Sequence, residues 1–149
     1  MTNINYKYND GGKPKTVKGK GDCVVRAITI ASGLPYTEVA DALRPECRKH
    51  NKLIKAGKRT THRGKNSLTS GIHKEVYHSW LLSNGWTWTP TMLIGQGCKV
   101  HLTKSELPKG TIIARVSRHL VACIDGVIND TYDCSRNGTR CVYGYYTKK

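Results

Sequence analysis

The chain contains no phenylalanine and only ten acidic residues. Without Phe, its three Trp and eight Tyr must supply the large aromatic groups of any core. No run of about 18 apolar residues occurs, so no transmembrane helix is expected, and no membrane partner is called for. The opening stretch, Met-Thr-Asn-Ile-Asn-Tyr-Lys, lacks the apolar segment of a signal peptide, so a cytoplasmic location is expected. No two of the six cysteines form a Cys-x-x-Cys pair, which argues against a zinc knuckle. With no export signal, free thiols are the expectation. No metal or organic cofactor is implied.

What remains is a strongly basic chain of 149 residues with a net charge of +15. That length fits one domain, residues 1–149, which buries ~70% of its unfolded surface without a metal or disulfide staple. The charge favours an acidic partner: nucleic acid, an anionic surface or an acidic protein. It is concentrated in residues 44–65, Arg44 through Lys65, where nine Lys or Arg stand against the single acid Glu46. Two readings of this stretch stand: a nucleic-acid footprint, or a solvated, self-repelling loop. No aromatic residue is interleaved with the charges to favour the first.

Element signals run helices first. Residues 1–20 are polar and Lys-rich and read as an extended lead-in, with one short strand at 3–8. Asp22 is a suitable N-cap for the apolar run Cys-Val-Val-Arg-Ala-Ile-Thr-Ile-Ala-Ser, and Gly33 and Pro35 end that helix. Its residues are apolar nearly all round, the pattern of a buried central helix. A second helix is expected from Thr37, ended or kinked at Pro45. Residues 44–70 follow as a basic, mobile segment. A third helix is expected over 71–84, ended by Gly85, and a strand over Trp86–Thr89. Thr111–Val116, Leu120–Ile124, Val127–Tyr132 and Val142–Tyr146 read as strands, joined partly by the hairpin signals Asp125-Gly126 and Asn137-Gly138. The order predicts an α+β domain: a buried N-terminal helix packed on a C-terminal antiparallel meander.

Cys23 follows directly on Asp22, at the first turn of the predicted helix. Unpaired N–H groups and the positive end of the helix dipole favour a thiolate there and offer oxyanion donors. Gly19 and Gly21 would let a substrate approach the backbone. His119 opens a strand. With a two-residue turn at Asp125-Gly126, paired residue numbers sum to 251, so 121 faces 130 and 119 faces 132. His119 and Asp130 then share a face as diagonal neighbours, while Asn129 points the other way. A carboxylate so placed can orient an imidazole and stabilise its charged form. The other histidines have weaker cases: His50 and His62 read as surface, His73 and His78 do not share a helical face, and His101 has no partner in view. Cys134 and Cys141 face each other across the Asn137-Gly138 turn, yet at a wide hydrogen-bonded pair, so two thiols are favoured. Cys98 and Cys123 read as strand or core thiols.

The segments Gly-Asp-Cys-Val-Val-Arg-Ala-Ile at 21–28 and His-x-Val-Ala-x-Ile-x-Gly at 119–126 resemble those of the papain-like cysteine peptidase superfamily. The likeness is to its small minimal-core members, namely bacteriocin-leader peptidases and uncharacterised bacteriophage proteins. It implies a papain-like minimal core, with Cys23 as nucleophile, His119 as general base and Asp130 as orienting group. The implied function is a thiol hydrolase, a peptidase or isopeptidase, acting on a protein or peptide and lying in the host cytoplasm if phage-encoded. One departure is that such enzymes usually carry a Gln half a dozen residues before the nucleophile, where this chain has Thr16-Val17-Lys18-Gly19. Lys18, Lys20 or Gln96 are the substitutes to consider. The alternative is a catalytically weak papain-like fold that binds nucleic acid or an acidic host or virion protein through its basic stretch.

Overall fold

The computed structural model describes residues 5–58, 66–93 and 95–148. Three helices and a six-stranded mixed sheet make an α+β architecture. In chain order these are β1 (Tyr6–Tyr8), α1 (Cys23–Ser32), α2 (Tyr36–Lys55), α3 (Lys74–Ser83), β2 (Trp86–Pro90), β3 (Thr111–Val116), β4 (His119–Ile124), β5 (Val127–Asp130) and β6 (Gly144–Lys148). None of the helices is long and apolar enough to cross a membrane.

Helix α1 forms where the apolar run predicts it, with six of its ten residues buried. It ends on Gly33, whose φ of 78° supplies the left-handed turn and whose N–H donates to Thr29 O. Its start differs from expectation. Asp22 makes no side-chain cap; its carboxylate is turned inward to other partners. Helix α2 runs ten residues beyond Pro45 rather than ending there. Pro45 and Asp41, the residue whose carbonyl would accept the N–H that proline lacks, both lie on the exposed face of the helix. The buried stripe Tyr36, Val39, Ala40, Leu43, Cys47 and His50 continues at helical spacing through the proline. His50 is therefore a core residue, 2% exposed, and not a surface one. Its Nε2 lies 3.2 Å from Nδ1 of His73, itself buried. The rest of the basic stretch, residues 59–65 with His62, lies outside the described residues.

The strand order is β1-β5-β4-β3-β6-β2. Strands β3, β4 and β5 form the consecutive antiparallel meander. The Asp125-Gly126 turn sets Ile124 opposite Val127 and Ala122 opposite Asn129, the register whose pairs sum to 251. The meander ends there. Residues 135–139 close on themselves, with Arg136, Asn137 and Gly138 all at positive φ, so Asn137-Gly138 does not lead into a hairpin on β5. The chain instead crosses the sheet, and β6 pairs antiparallel with both β3 and β2. Strand β1 adds to β5 in parallel, with Tyr8 opposite Asp130.

Pleat alternation divides the core between the two faces. Ile113, Leu120 and Tyr146 pack with the three helices. Ile112, Ala114, Val116, Val121, Cys123 and Ile128 face the other way, under Leu102, Leu107 and Val142. Cys98 and Cys141 are joined in a disulfide, Cα–Cα 5.8 Å, which corrects the expectation of six free thiols. An isolated antiparallel bridge between His101 and Cys141 brings the 95–101 segment beside Cys141, a pairing that strand-by-strand reasoning does not reach. Cys134 stays a buried free thiol.

Candidate active site

Cys23 occupies the first position of α1. The N–H groups of this first turn have no partner four residues back within the helix. The first such bond is Arg26 N–H to Asp22 O, at 3.1 Å. Cys23 is partly exposed to a cleft of about 860 Å³ that it shares with His119. Gly21, just before it, faces the chain itself. A Cβ there would stand 2.6 Å from Thr69 O and 2.8 Å from the Ser70 carbonyl carbon, and its N–H donates to Thr69 O at 2.9 Å. The space at Gly21 is thus filled by the 69–70 backbone, and not by substrate as the sequence reading allowed.

His119 opens β4 and Asp130 ends β5, which the register brings together at one end of the sheet. His119 Nε2 lies 2.6 Å from Asp130 Oδ2. This leaves Nδ1 as the nitrogen free of Asp130. Asn129 lies outside the pair; its Oδ1 accepts from Asn9 Nδ2 at 3.2 Å. Asp130 Oδ1 accepts from Thr131 N–H at 2.7 Å and from Arg26 Nη2 at 3.2 Å. The Thr131 bond bends the chain and ends β5 two residues earlier than expected.

Arg26 is the residue that sequence reasoning missed. Its guanidinium is buried and bridges two carboxylates, Asp22 and Asp130. Asp22, fully buried, also accepts from Tyr36 OH at 2.7 Å and pairs with Lys13 Nζ at 3.2 Å. A continuous network therefore links the start of α1 to the His119 ring. The signal was present in the sequence: an Arg inside an apolar helix, four residues after an Asp, is the spacing of a helical ion pair.

The electrostatics follow from this arrangement. Burial pushes the Cys23 thiol up, but hydrogen bonding and positive charge from His119, the Leu120 backbone and Arg26 outweigh it and hold the thiol below its ordinary value. Burial pushes His119 down, but Asp130, Cys134 and Cys23 hold it well above an ordinary imidazole. Burial likewise opposes ionisation of Asp130, and His119, Thr131 N–H and Arg26 reverse that and lower it. The three shifts favour the charged forms of the groups: thiolate, imidazolium and carboxylate. Two other thiols are shifted the opposite way by burial: Cys47 up to about 11, and Cys123 further up.

Of the three oxyanion substitutes considered, Lys20 lines the cleft, whereas Lys18 and Gln96 do not. Arg118, also on the cleft wall, sits in the β3–β4 turn at φ 55°, a left-handed conformation that costs a non-glycine residue about 1 kcal/mol or more. Arg140 holds this turn by donating to Ser117 O and, at 3.2 Å, to Cys134 O. Tyr132 lies against the His119 ring, centroids 5.5 Å apart. Among the described residues, two groups bring metal-ligand atoms within 4.8 Å of one another: His50, His73 and Glu75, and His119, Asp130 and Cys134.

No protein-family model, curated protein or solved structure matches the chain.

Proposed function

We propose that the protein is a cysteine-dependent hydrolase, a peptidase or isopeptidase of the papain-like minimal-core type, with Cys23, His119 and Asp130 as its triad. The observation that carries this reading is the short His119–Asp130 contact beside a Cys23 thiol of lowered pKa at a helix start. The Gly-Asp-Cys-Val-Val-Arg-Ala-Ile segment, similar to that of bacteriophage proteins, supports a phage origin. The location proposed is the cytoplasm, the host's if phage-encoded; the Cys98–Cys141 disulfide counts against a reducing compartment and gives this location no support.

In this reading the Cys23 thiolate attacks the carbonyl carbon of the substrate, forming a C–S bond and an oxyanion held by first-turn N–H groups of α1. The oxyanion collapses and the C–N bond breaks. The amine leaves with a proton from the His119 imidazolium. Water then attacks the thioester, giving one proton to His119 and releasing the acid and the Cys23 thiolate. Asp130 keeps the imidazole oriented throughout and stabilises its charged form. Arg26 acts through Asp130 as a positioning residue.

The test is per-cysteine alkylation by iodoacetamide at pH 6, read by mass spectrometry. An ordinary thiol is ~0.3% ionised at that pH, so each unit by which a thiol's pKa is lowered gives it about tenfold more thiolate. Lower intrinsic nucleophilicity takes back part of this. Cys23 is the one partly exposed free thiol, so the deciding comparison is Cys23 with and without His119: we expect His119→Ala to slow Cys23 labelling at pH 6 severalfold. A Cys23 rate unchanged by His119→Ala would defeat the proposal.

A second reading has one observation of its own. Arg44, Arg48, Lys49, Lys52 and Lys55 are exposed along α2, opposite its buried stripe, and Lys58 follows. Such a row suits a binding protein for nucleic acid or an acidic partner. A salt-dependent gel shift on unrelated DNA and RNA, lost on reversing three of these charges, would favour it.

A further inference from the structure

The charged residues that wall the cleft around Cys23 are mostly cations. Six Lys or Arg line it against one acid, Asp10, whereas the whole chain carries 25 against 10. Lys13 and Arg26 are committed to Asp22 and Asp130. The remaining four, Lys20, Lys74, Arg115 and Arg118, make no ion pair among the described residues. Asp10 makes no ion pair with them among the described residues; its Oδ1 accepts from the Gly12 N–H at 2.9 Å. The four come from separate parts of the fold: the lead-in, α3, β3 and the β3–β4 turn. Lys20, Lys74 and Arg118 are exposed residues of the cleft wall. Arg115 is held over the Trp88 and Tyr143 rings at 5.6 and 5.8 Å, which fixes its direction. Arg118 is an Arg where the backbone favours Gly or Asn, one residue from His119.

We propose that the cleft selects an acidic polypeptide segment, presenting Asp or Glu carboxylates on both sides of the carbonyl that Cys23 attacks. The inference rests on the hydrolase reading given above. A polypeptide is favoured over nucleic acid because the acyl transfer proposed for Cys23 needs an acyl carbonyl bearing a leaving group, which a peptide bond supplies and nucleic acid does not. Carboxylates meet Arg118 and Arg115 as forked hydrogen-bond acceptors, and Lys20 and Lys74 as point charges. The exposed Tyr8 and Tyr132, 63% and 49% accessible, supply apolar walls for the backbone and side-chain stems of an extended segment.

The test uses the full chain and three peptidyl vinyl methyl esters of equal length, with Asp/Glu, Asn/Gln or Lys flanking residues. Thiolate addition to the vinyl carbon, with a proton returned to the neighbouring carbon, labels Cys23 covalently. Each rate is divided by the same protein's iodoacetamide rate. The acidic ester should react on the order of tenfold faster than the neutral one and faster still than the basic one, with the preference shrinking as NaCl is raised. Arg118→Gly, which suits the turn and so keeps the fold, should cut the acidic preference several-fold, and Lys20→Ser with Lys74→Ser should cut it further. Equal reaction of all three esters, with iodoacetamide labelling of Cys23 still slowed by His119→Ala, overturns this inference and leaves the hydrolase reading standing. A Cys23 iodoacetamide rate unchanged by His119→Ala overturns that reading instead. A dT20 oligonucleotide that protects Cys23 better than an acidic peptide of equal charge also overturns the inference, in favour of nucleic acid.

Discussion

Replacing Arg26 by Met tests the network that joins α1 to the His119–Asp130 pair. Met keeps the stem volume and removes the guanidinium, stranding two carboxylates that are almost wholly buried. Removing one partner of a buried ion pair costs ~3–5 kcal/mol. Each carboxylate keeps other contacts, Asp22 with Tyr36 and Lys13, and Asp130 with His119 and Thr131 N–H. The loss therefore belongs at the lower end, about 3 kcal/mol, a large part of a stability of about 5–15 kcal/mol. In urea at pH 7, with a slope of about 2 kcal/mol/M, the midpoint should fall by about 1.5 M. The pH dependence carries a sign. Asp130 is lowered in the folded state, so its contribution is present above the unfolded carboxyl pKa of about 3.9 and is lost as pH falls through the folded value. Without Arg26 that acid-side loss should be smaller. Adding Asp22→Asn removes one stranded charge and should bring the double variant closer to wild type than Arg26→Met alone. A loss below about 1 kcal/mol, or a double variant no better than the single one, would refute the network as the element that sets the site.

Gly21→Ala places a methyl against the Thr69–Ser70 backbone. The expected cost is about 1–3 kcal/mol by thermal or urea unfolding, together with slower Cys23 labelling as the start of α1 shifts. Cys98→Ser opens the disulfide to Cys141, and neither residue lines the cleft. Stability should fall by about 2–4 kcal/mol for the loop it closes, while selective Cys23 labelling persists. Asp130→Asn should let His119 lose its proton at lower pH, seen as a downward shift of the ring titration by NMR, because the carboxylate beside Nε2 is among the groups that raise it.

Local patterns made much of the fold legible. The apolar run after Asp22, the Gly33 stop and the Trp86–Thr89 alternation act over a few residues; helix and stop appear where periodicity places them, and the strand runs one residue further, to Pro90. The diagonal placement of His119 and Asp130 followed from a two-residue turn and the period of the strand, and the structure sets them 2.6 Å apart. What was not legible depends on partners far away in sequence. Pro45 does not break α2 because the stripe from Tyr36 to His50 has a core to pack against. Strand β6 crosses to β3 because three positive-φ residues after Cys134 turn the chain away from β5. The same crossing brings Cys141 to Cys98 rather than to Cys134. Asp22 looked like a cap because capping is its commonest local use, and only the fold shows its carboxylate between Arg26 and Tyr36.

The central claim is that Cys23 and His119 form an ion pair in the folded protein. Thiolate absorbance near 240 nm, titrated in the wild type and subtracted against Cys23→Ser, reads it directly. The depressed Cys23 thiol should give a step clearly below the ordinary thiol value of about 8.5, and His119→Ala should move that step upward. A step at or above the ordinary value, unchanged by His119→Ala, would contradict the ion pair and the chemistry built on it.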